Sequence, residues 1–200
     1  MTEEEFVGLV GATLHHVTLT ANLPGIMKHG LLPTAELCEA NGIDPDTAIL
    51  RSEAILLPDG SRINHQRPLL AGRLHDFIED MSLAEWAIQL DQRVFFWPAS
   101  ARRSFQDSLH DRGSTTILTL DSAEMHHLFR DRLFLAPINS GAAVRRPSVR
   151  GRWLYVPASA PPDAFRENRR GRGLVSTRDR VAEVSLLGGL DPGDLLRVRR

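Results

Sequence analysis

Six short segments of this chain have the composition of β-strands, and stretches with helical spacing separate them. Each segment is rich in β-branched or aromatic residues, or alternates between apolar and polar positions, as half-buried strands do. The segments are residues 14–19, 94–97, 115–120, 133–135, 153–156 and 181–186. The chain of 200 residues shows neither an internal repeat nor a linker-like stretch. The pattern therefore predicts one α+β domain, residues 1–200, in which about six strands are flanked by short helices.

Capping residues mark where several helices begin and end. Asn22 is a good N-cap for a helix that starts at Leu23, and Gly30 would end that helix. Ser82 and Glu85 have the spacing of a capping box, which divides the helical pattern of residues 69–91 in two. A hairpin is predicted at residues 54–63, and further helices at residues 33–41, 100–109, 122–129 and 161–169.

Lysine and cysteine are almost absent, which excludes several kinds of chemistry. Lys28 is the only lysine among 24 basic side chains, and neither serine nor threonine follows it, so a phosphate-binding P-loop is excluded. Cys38 is the only cysteine, which excludes internal disulfides and thiolate zinc clusters, and we expect no metal site. The net charge of -1 and the absence of a long apolar run or a basic leader favour a cytoplasmic protein without a membrane partner.

The most informative stretch of the sequence is residues 16–33. His16-Val17-Thr18 would lie on the first strand, Asn22-Leu23-Pro24 would start the helix, and Gly30-Leu31-Leu32-Pro33 would follow it. This order and spacing resemble the N-terminal signature of the ADP-ribosyltransferase superfamily. The likeness is closest to the DNA-targeting DarT toxins and to an uncharacterised bacterial family related to them. The alternative is a plain strand–helix unit with an internally bonded histidine.

Two later segments extend the resemblance. Residues 94–100 are similar to the aromatic second strand of the superfamily, although they fit a buried core strand equally well. In the superfamily, a strand of the form x-Ala-Glu near the C-terminus carries the catalytic glutamate, and here that position is Glu183. A carboxylate amid apolar residues is costly unless it is exposed or employed. Glu183 is therefore either a solvent-facing strand residue or the catalytic residue.

The resemblance implies an ADP-ribosyltransferase-like split β-sheet and an enzyme that uses NAD as its substrate. Glu183 would stabilise the oxocarbenium-like transition state that forms as nicotinamide leaves the ribose. His16 and Thr18 would position the nicotinamide half of NAD. The other cofactor-binding candidates are Arg51 for the pyrophosphate, Phe95 and Phe96 for ring stacking, and Asn139 and Ser140 at a turn.

Arginines are concentrated in the last third of the chain, where they indicate an anionic acceptor. Residues 145–180 hold ten arginines against three acidic residues, and Arg169, Arg170 and Arg172 adjoin glycines that permit close approach to phosphates. A solvated cationic loop is the alternative interpretation.

Together, these features predict an enzyme that transfers ADP-ribose from NAD to a macromolecule. Nucleic acid, either DNA or RNA, is the first choice of acceptor and protein the second, and an antitoxin would be a further partner. The alternatives are an NAD-using RNA 2′-phosphotransferase and a non-catalytic module that binds NAD or a nucleotide.

Overall fold

The computed structural model describes residues 1–70, 74–99, 113–141, 148–174 and 180–200. The helix predicted at residues 100–109 lies outside these ranges, as do Arg145 and Arg146 of the basic segment. The strands of the described ranges are β1 (Thr13–Leu19), β2 (Ile55–Leu56), β3 (Arg62–Ile63), β4 (Arg93–Pro98), β5 (Thr115–Asp121), β6 (Leu133–Ala136), β7 (Val156–Pro157) and β8 (Glu183–Leu187).

Six of these strands form one antiparallel sheet in the order β5-β1-β4-β8-β6-β7, and β2 and β3 form a separate hairpin. The predicted α+β class and a sheet of about six strands are therefore confirmed. The strand predicted at residues 153–156 is largely wrong, because Arg152–Leu154 is a 3-10 turn and only Val156–Pro157 is extended and paired. The last strand, β8, lies between β4 and β6, so residues distant in sequence meet at the centre of the sheet.

The helices are short, and side-chain caps fix where several of them begin. They are α1 (Glu3–Val10), α2 (Leu23–His29), α3 (Thr34–Ala40), α4 (Arg67–Leu70), α5 (Leu83–Asp91), α6 (Ser122–Phe129), α7 (Pro162–Gly171) and α8 (Pro192–Val198). The capping box of Ser82 and Glu85 precedes α5, as predicted. The sequence pattern missed α1 and α8, which span only 8 and 7 residues and show too little helical periodicity to be recognised.

Alternation along the strands gives the sheet two different faces. One, which we name the helix-packed face, presents apolar side chains to α1, α2, α6, α7 and α8. Leu14, Phe96, Leu120, Leu135 and Leu186 on this face are completely buried. This face holds the larger hydrophobic core of the protein.

The opposite face, which we name the cleft face, mixes apolar side chains with polar and charged ones. Side chains of α4 and α5 cover part of it, and Trp86 stacks on Tyr155 there with ring centroids 5.9 Å apart. The residues of β4, β6 and β8 on this face are Arg93, Phe95, Trp97, Phe134, Ala136, Glu183, Ser185 and Leu187.

Two glycines and one asparagine fix the position of α2 after β1. Gly25 lies so close to the hairpin that a Cβ there would clash with Ser61 Oγ. Gly30 ends α2 with a φ of +88°, as predicted, and its closeness to the Leu190 carbonyl leaves no space for a side chain. As predicted, α2 begins at Leu23 with Asn22 at the N-cap position, but the Asn22 side chain makes no capping bond because it bonds the backbone of the hairpin instead.

Candidate active site

The sheet opens between β1 and β4. The two strands pair only at Leu14 with Pro98 and at His15 with Trp97, and from the next residue β1 pairs with β5 alone. At this point of divergence the His16 ring replaces a backbone partner, because its Nδ1 donates to the Phe95 carbonyl at 2.9 Å. The sheet is therefore split at the position of the predicted site histidine.

A cleft of about 300 Å³ extends from the opening in the sheet. Its walls are β1, the segment from α2 to α3, the hairpin strand β3 with the residues after it, the end of α5, and β4. This volume is at the lower end of the range for small-molecule sites. The polar residues that line it are His16, Thr18, Asn22, Thr34, Arg51, Ser61, Arg62, Asn64, His65, Gln66, Asp91 and Arg93.

His16 is held in a single tautomer at the wall of this cleft. Because a carbonyl only accepts, Nδ1 must carry the hydrogen, which leaves Nε2 of the neutral ring as an acceptor. Burial lowers the pKa of His16, although its bond to the Phe95 carbonyl acts in the opposite direction. His16 is therefore a neutral, oriented group near pH 7.

Thr18 and Asn22 form a bonded group beside His16. The Asn22 amide donates to Thr18 Oγ1 at 3.4 Å and to the Arg62 carbonyl at 3.1 Å, and its oxygen accepts from the Arg62 N–H at 2.8 Å. Asn22 thus fastens the hairpin to the end of β1. The Arg62 side chain stays exposed at the cleft rim, and none of the described residues accepts from its guanidinium.

Arg51, the predicted pyrophosphate ligand, is bonded mainly within the protein. Its guanidinium forms a bidentate pair with Asp91 at 2.8 and 3.1 Å, and it also donates to the carbonyls of Asn64 and Ala48. These contacts account for four of the five N–H donors of the group. Burial raises the pKa of Asp91, whereas bonds from Arg51 and Gln66 lower it in part. The pair therefore stabilises the cleft wall, and its charges largely cancel.

The two phenylalanines predicted to stack on nicotinamide lie on opposite faces of the sheet. Phe95 is half-buried and lines the cleft. Phe96 is completely buried in the larger core, where it packs edge-on against His16 with ring centroids 6.0 Å apart. Only Phe95 is therefore placed to touch a ligand, and Phe96 supports the histidine from behind.

Glu183 is buried on the cleft face at the start of β8. Only 1% of it is exposed, which excludes the solvent-facing alternative. Its Oε1 accepts from the Ser140 N–H at 3.2 Å. Burial raises its pKa to about 7, although hydrogen bonds from Ser140 and the charges of Arg150 and Arg93 act in the opposite direction. A carboxyl group poised near neutral pH is characteristic of functional sites.

A turn at Asn139–Gly141 separates Glu183 from the cleft. Gly141 lines the cleft, whereas Ser140 is buried against Glu183. Arg150 is 1% exposed and holds this turn, because its guanidinium donates to the carbonyls of Asn139 and Ser140 at 3.2 and 3.0 Å. The predicted residues Asn139 and Ser140 therefore do not line the cleft. Ser140 bonds Glu183, and the carbonyl of Asn139 accepts from Arg150.

Arg93 is a charged residue at the first position of β4 whose place the sequence analysis did not predict. It lines the cleft, and its guanidinium lies over the rings of Phe134 and Tyr155, at 4.5 and 4.1 Å from their centroids. Its Nη1 contacts Ser185 Oγ at 3.4 Å, while its Nε is buried without an acceptor. Burial lowers its pKa, which Tyr155 and Glu183 oppose.

The three arginines predicted to bind an acceptor have different surroundings. Arg169 is 5% exposed and donates to the carbonyls of Arg180 and Leu174, so it stabilises the local fold. Arg172 pairs with Glu79 at 2.9 Å and lies over the Trp153 ring at 3.9 Å. Arg170 is exposed on α7. Arg170 is therefore the only one of the three that is exposed and makes no ion pair with another described residue.

Among the described residues, no three His, Cys, Asp or Glu side chains are grouped as metal ligands. In the same part of the chain, no helix combines the length and the apolar character needed to cross a bilayer.

Residues 12–192 match a family that is described as a family of unknown function (DUF7002). No curated protein matches the chain. The matched range includes β1 through β8 and every residue of the cleft.

Proposed function

The chain belongs to the DUF7002 family, whose function is unknown, and we propose that it is an NAD-dependent ADP-ribosyltransferase. The observation that carries the proposal is the arrangement of His16 and Glu183 on either side of β4. On one side of β4, His16 bonds the Phe95 carbonyl. On the other side, Phe96 of β4 pairs with Val184 of β8, which is the residue after Glu183. A fixed imidazole and a buried carboxyl group thus flank one strand at the opening of the sheet.

The reaction breaks the bond between the nicotinamide nitrogen and C1′ of the ribose. Nicotinamide leaves with the electron pair of this bond, and the acceptor nucleophile forms the new bond to C1′ while it loses a proton. A carboxylate stabilises the positive charge that develops on the ribose and can accept that proton. Glu183 suits this role because its pKa of about 7 leaves it partly ionised at neutral pH and able to take a proton.

The cleft residues would bind and orient NAD. His16 offers Nε2 to a hydrogen-bond donor of the ligand, and Thr18 and Asn22 keep that wall fixed. Phe95 gives an apolar surface for a ring. The Asn139–Gly141 turn must shift for the carboxyl group to meet the ribose, because Ser140 now bonds Glu183.

Nucleic acid is the acceptor class that the surface of α7 favours over protein. Arg170 supplies positive charge at the end of α7, and Arg172, which is paired with Glu79, lies over the ring of Trp153. Single-stranded nucleic acids are bound by this combination of cations and stacking surfaces. Whether DNA or RNA is modified, and whether an antitoxin covers the site, remain predictions from the resemblance.

A non-catalytic NAD-binding module is the second candidate, and the burial of Glu183 favours it. A carboxyl group that is 1% exposed and bonded by Ser140 does not contact a ligand in this arrangement. Such a module would bind NAD in the cleft without releasing nicotinamide.

The deciding experiment incubates the protein with NAD labelled in its ADP-ribose part and with total cellular nucleic acid or protein. We expect nicotinamide release and labelled nucleic acid, and a loss of roughly 10²-fold or more in Glu183→Gln. Glu167→Gln, an exposed position on α7, is the matched control and should keep full activity. Bound but unconsumed NAD would support the binding module. Activity that requires RNA with a 2′-phosphate would indicate the phosphotransferase.

A further inference from the structure

We infer that Arg93 forms an anion-binding subsite in the cleft and takes a phosphate group of the ligand. The inference rests on the proposed function only for the identity of the whole ligand. It rests on geometry for the subsite itself, because Arg93 lines the cleft but has no carboxylate partner within ion-pair distance among the described residues.

The hydrogen-bonding capacity of Arg93 is largely unused. Its one protein acceptor in the described structure is Ser185 Oγ, at the long distance of 3.4 Å from Nη1. Its Nε is buried without an acceptor, whereas Nη2 is neither bonded nor among the buried atoms. Leaving a buried donor unsatisfied costs about 1–3 kcal/mol, and the protein neighbours of Arg93 give its Nε no acceptor.

The aromatic contacts of Arg93 determine which part of it can bind. The Arg93 guanidinium carbon lies over the rings of Phe134 and Tyr155, and Nη2 remains available for hydrogen bonds. A guanidinium edge with two nearly parallel N–H groups matches the oxygens of a phosphate. The contacts also fix the side chain before a ligand arrives, which reduces the entropy lost on binding.

The charge of the cleft favours the same class of ligand. Among the described lining residues, Asp91 is the only acid, and Arg51 neutralises it through a bidentate pair. The charges that remain are those of Arg93 and of the exposed Arg62 at the rim. The chain as a whole has a net charge of -1, so this excess of two positive charges is local. A diphosphate carries the negative charges that would match it.

The test compares the binding of ADP, adenosine and inorganic pyrophosphate by titration calorimetry. Wild-type protein should bind ADP at least tenfold more tightly than adenosine. Arg93→Met should lose most of this preference, Arg93→Lys should keep part of it, and Arg62→Met should reduce it less. The thermal melting of each variant shows that it is folded.

The outcomes separate this inference from the proposed function. An unchanged preference for ADP in a folded Arg93→Met variant would overturn the subsite, and so would a wild type that does not bind ADP. If wild type binds ADP through Arg93 but releases no nicotinamide from NAD, the subsite stands and the transferase fails. If wild type consumes NAD and Arg93→Met has the same KM, the transferase stands and the subsite fails.

Discussion

The two faces of the sheet are built by different rules, although the same strands supply both. On the helix-packed face, β4 and β8 contribute Val94, Phe96, Val184 and Leu186, which are at most 3% exposed. On the cleft face the intervening positions hold Arg93, Phe95, Glu183 and Ser185. One face is therefore a continuous apolar core, while the other buries ionisable groups with few compensating contacts.

This difference shows which face of the sheet buries groups that lower the stability of the protein. Burying an ionised or unsatisfied group costs free energy, and apolar residues of similar shape would avoid that cost. Glu183 and Arg93 persist on the face that adjoins the cleft, whereas the residues of β4 and β8 on the helix-packed face are apolar. Such a cost within the sheet is expected of residues retained for binding or chemistry.

The sharpest test of this contrast compares two neighbouring aromatic residues. Phe96→Ala should lower the free energy of unfolding by about 3–5 kcal/mol, because it leaves a cavity in the larger core. Phe95→Ala should cost less, since Phe95 is half-buried at the cleft, but it should weaken NAD binding. Denaturant unfolding and calorimetry measure the two effects. Equal stability losses would contradict the distinction between the faces.

The next test removes the cation of the paired charges in the cleft wall. Arg51→Met should lower the free energy of unfolding by about 3 kcal/mol at pH 7, because Asp91 would be left buried and ionised. Burial already raises the pKa of Asp91. Protonation at lower pH removes the uncompensated charge, so the deficit should shrink as the pH falls towards 4. A deficit that is the same at both pH values would show that lost packing, not lost charge, is responsible.

Glu183→Gln should raise the free energy of unfolding, whereas Arg51→Met should lower it. The folded protein keeps the Glu183 proton up to a pKa of about 7, whereas the ordinary value is 4.5. The folded state therefore binds more protons between these values, and wild-type stability falls as the pH rises through them. Relative to wild type, the variant should gain up to about 3 kcal/mol between pH 4 and pH 8. A pH-independent difference in denaturant midpoints would contradict the raised pKa.

Ionisation of Glu183 should lower the stability of the wild type but raise its activity. If Glu183 acts as a carboxylate, kcat/KM for nicotinamide release should rise as the pH increases through about 7. The pH–rate profile of the Glu167→Gln control should be the same as that of the wild type. A flat profile between pH 6 and pH 8 would show that ionisation of Glu183 does not limit the reaction.

Local sequence patterns predicted the strands and the ligand-facing positions of β1, but not the surroundings of the charged residues. His16 and Thr18 line the cleft, as does Val17 between them, because β1 separates from β4 after His15. Arg150 and Arg169 read as loop cations, yet both are buried. The carbonyls that they bond belong to other segments of the chain, which single-sequence patterns do not reveal. Arg93 could have been noticed as a charge that begins an otherwise apolar strand.

The smallest predicted effect concerns helix caps, for which the two faces should give the same loss of stability. Ser82 caps α5 on the cleft side, and Asp191 caps α8 on the helix-packed side; each accepts a backbone N–H of the first turn. Replacing either with alanine removes a cap worth about 1 kcal/mol. Because capping is local, Ser82→Ala and Asp191→Ala should lower the free energy of unfolding by similar amounts, measured in denaturant. A much larger loss in one variant would mean that helix ends, and not the side chains between them, distinguish the two faces.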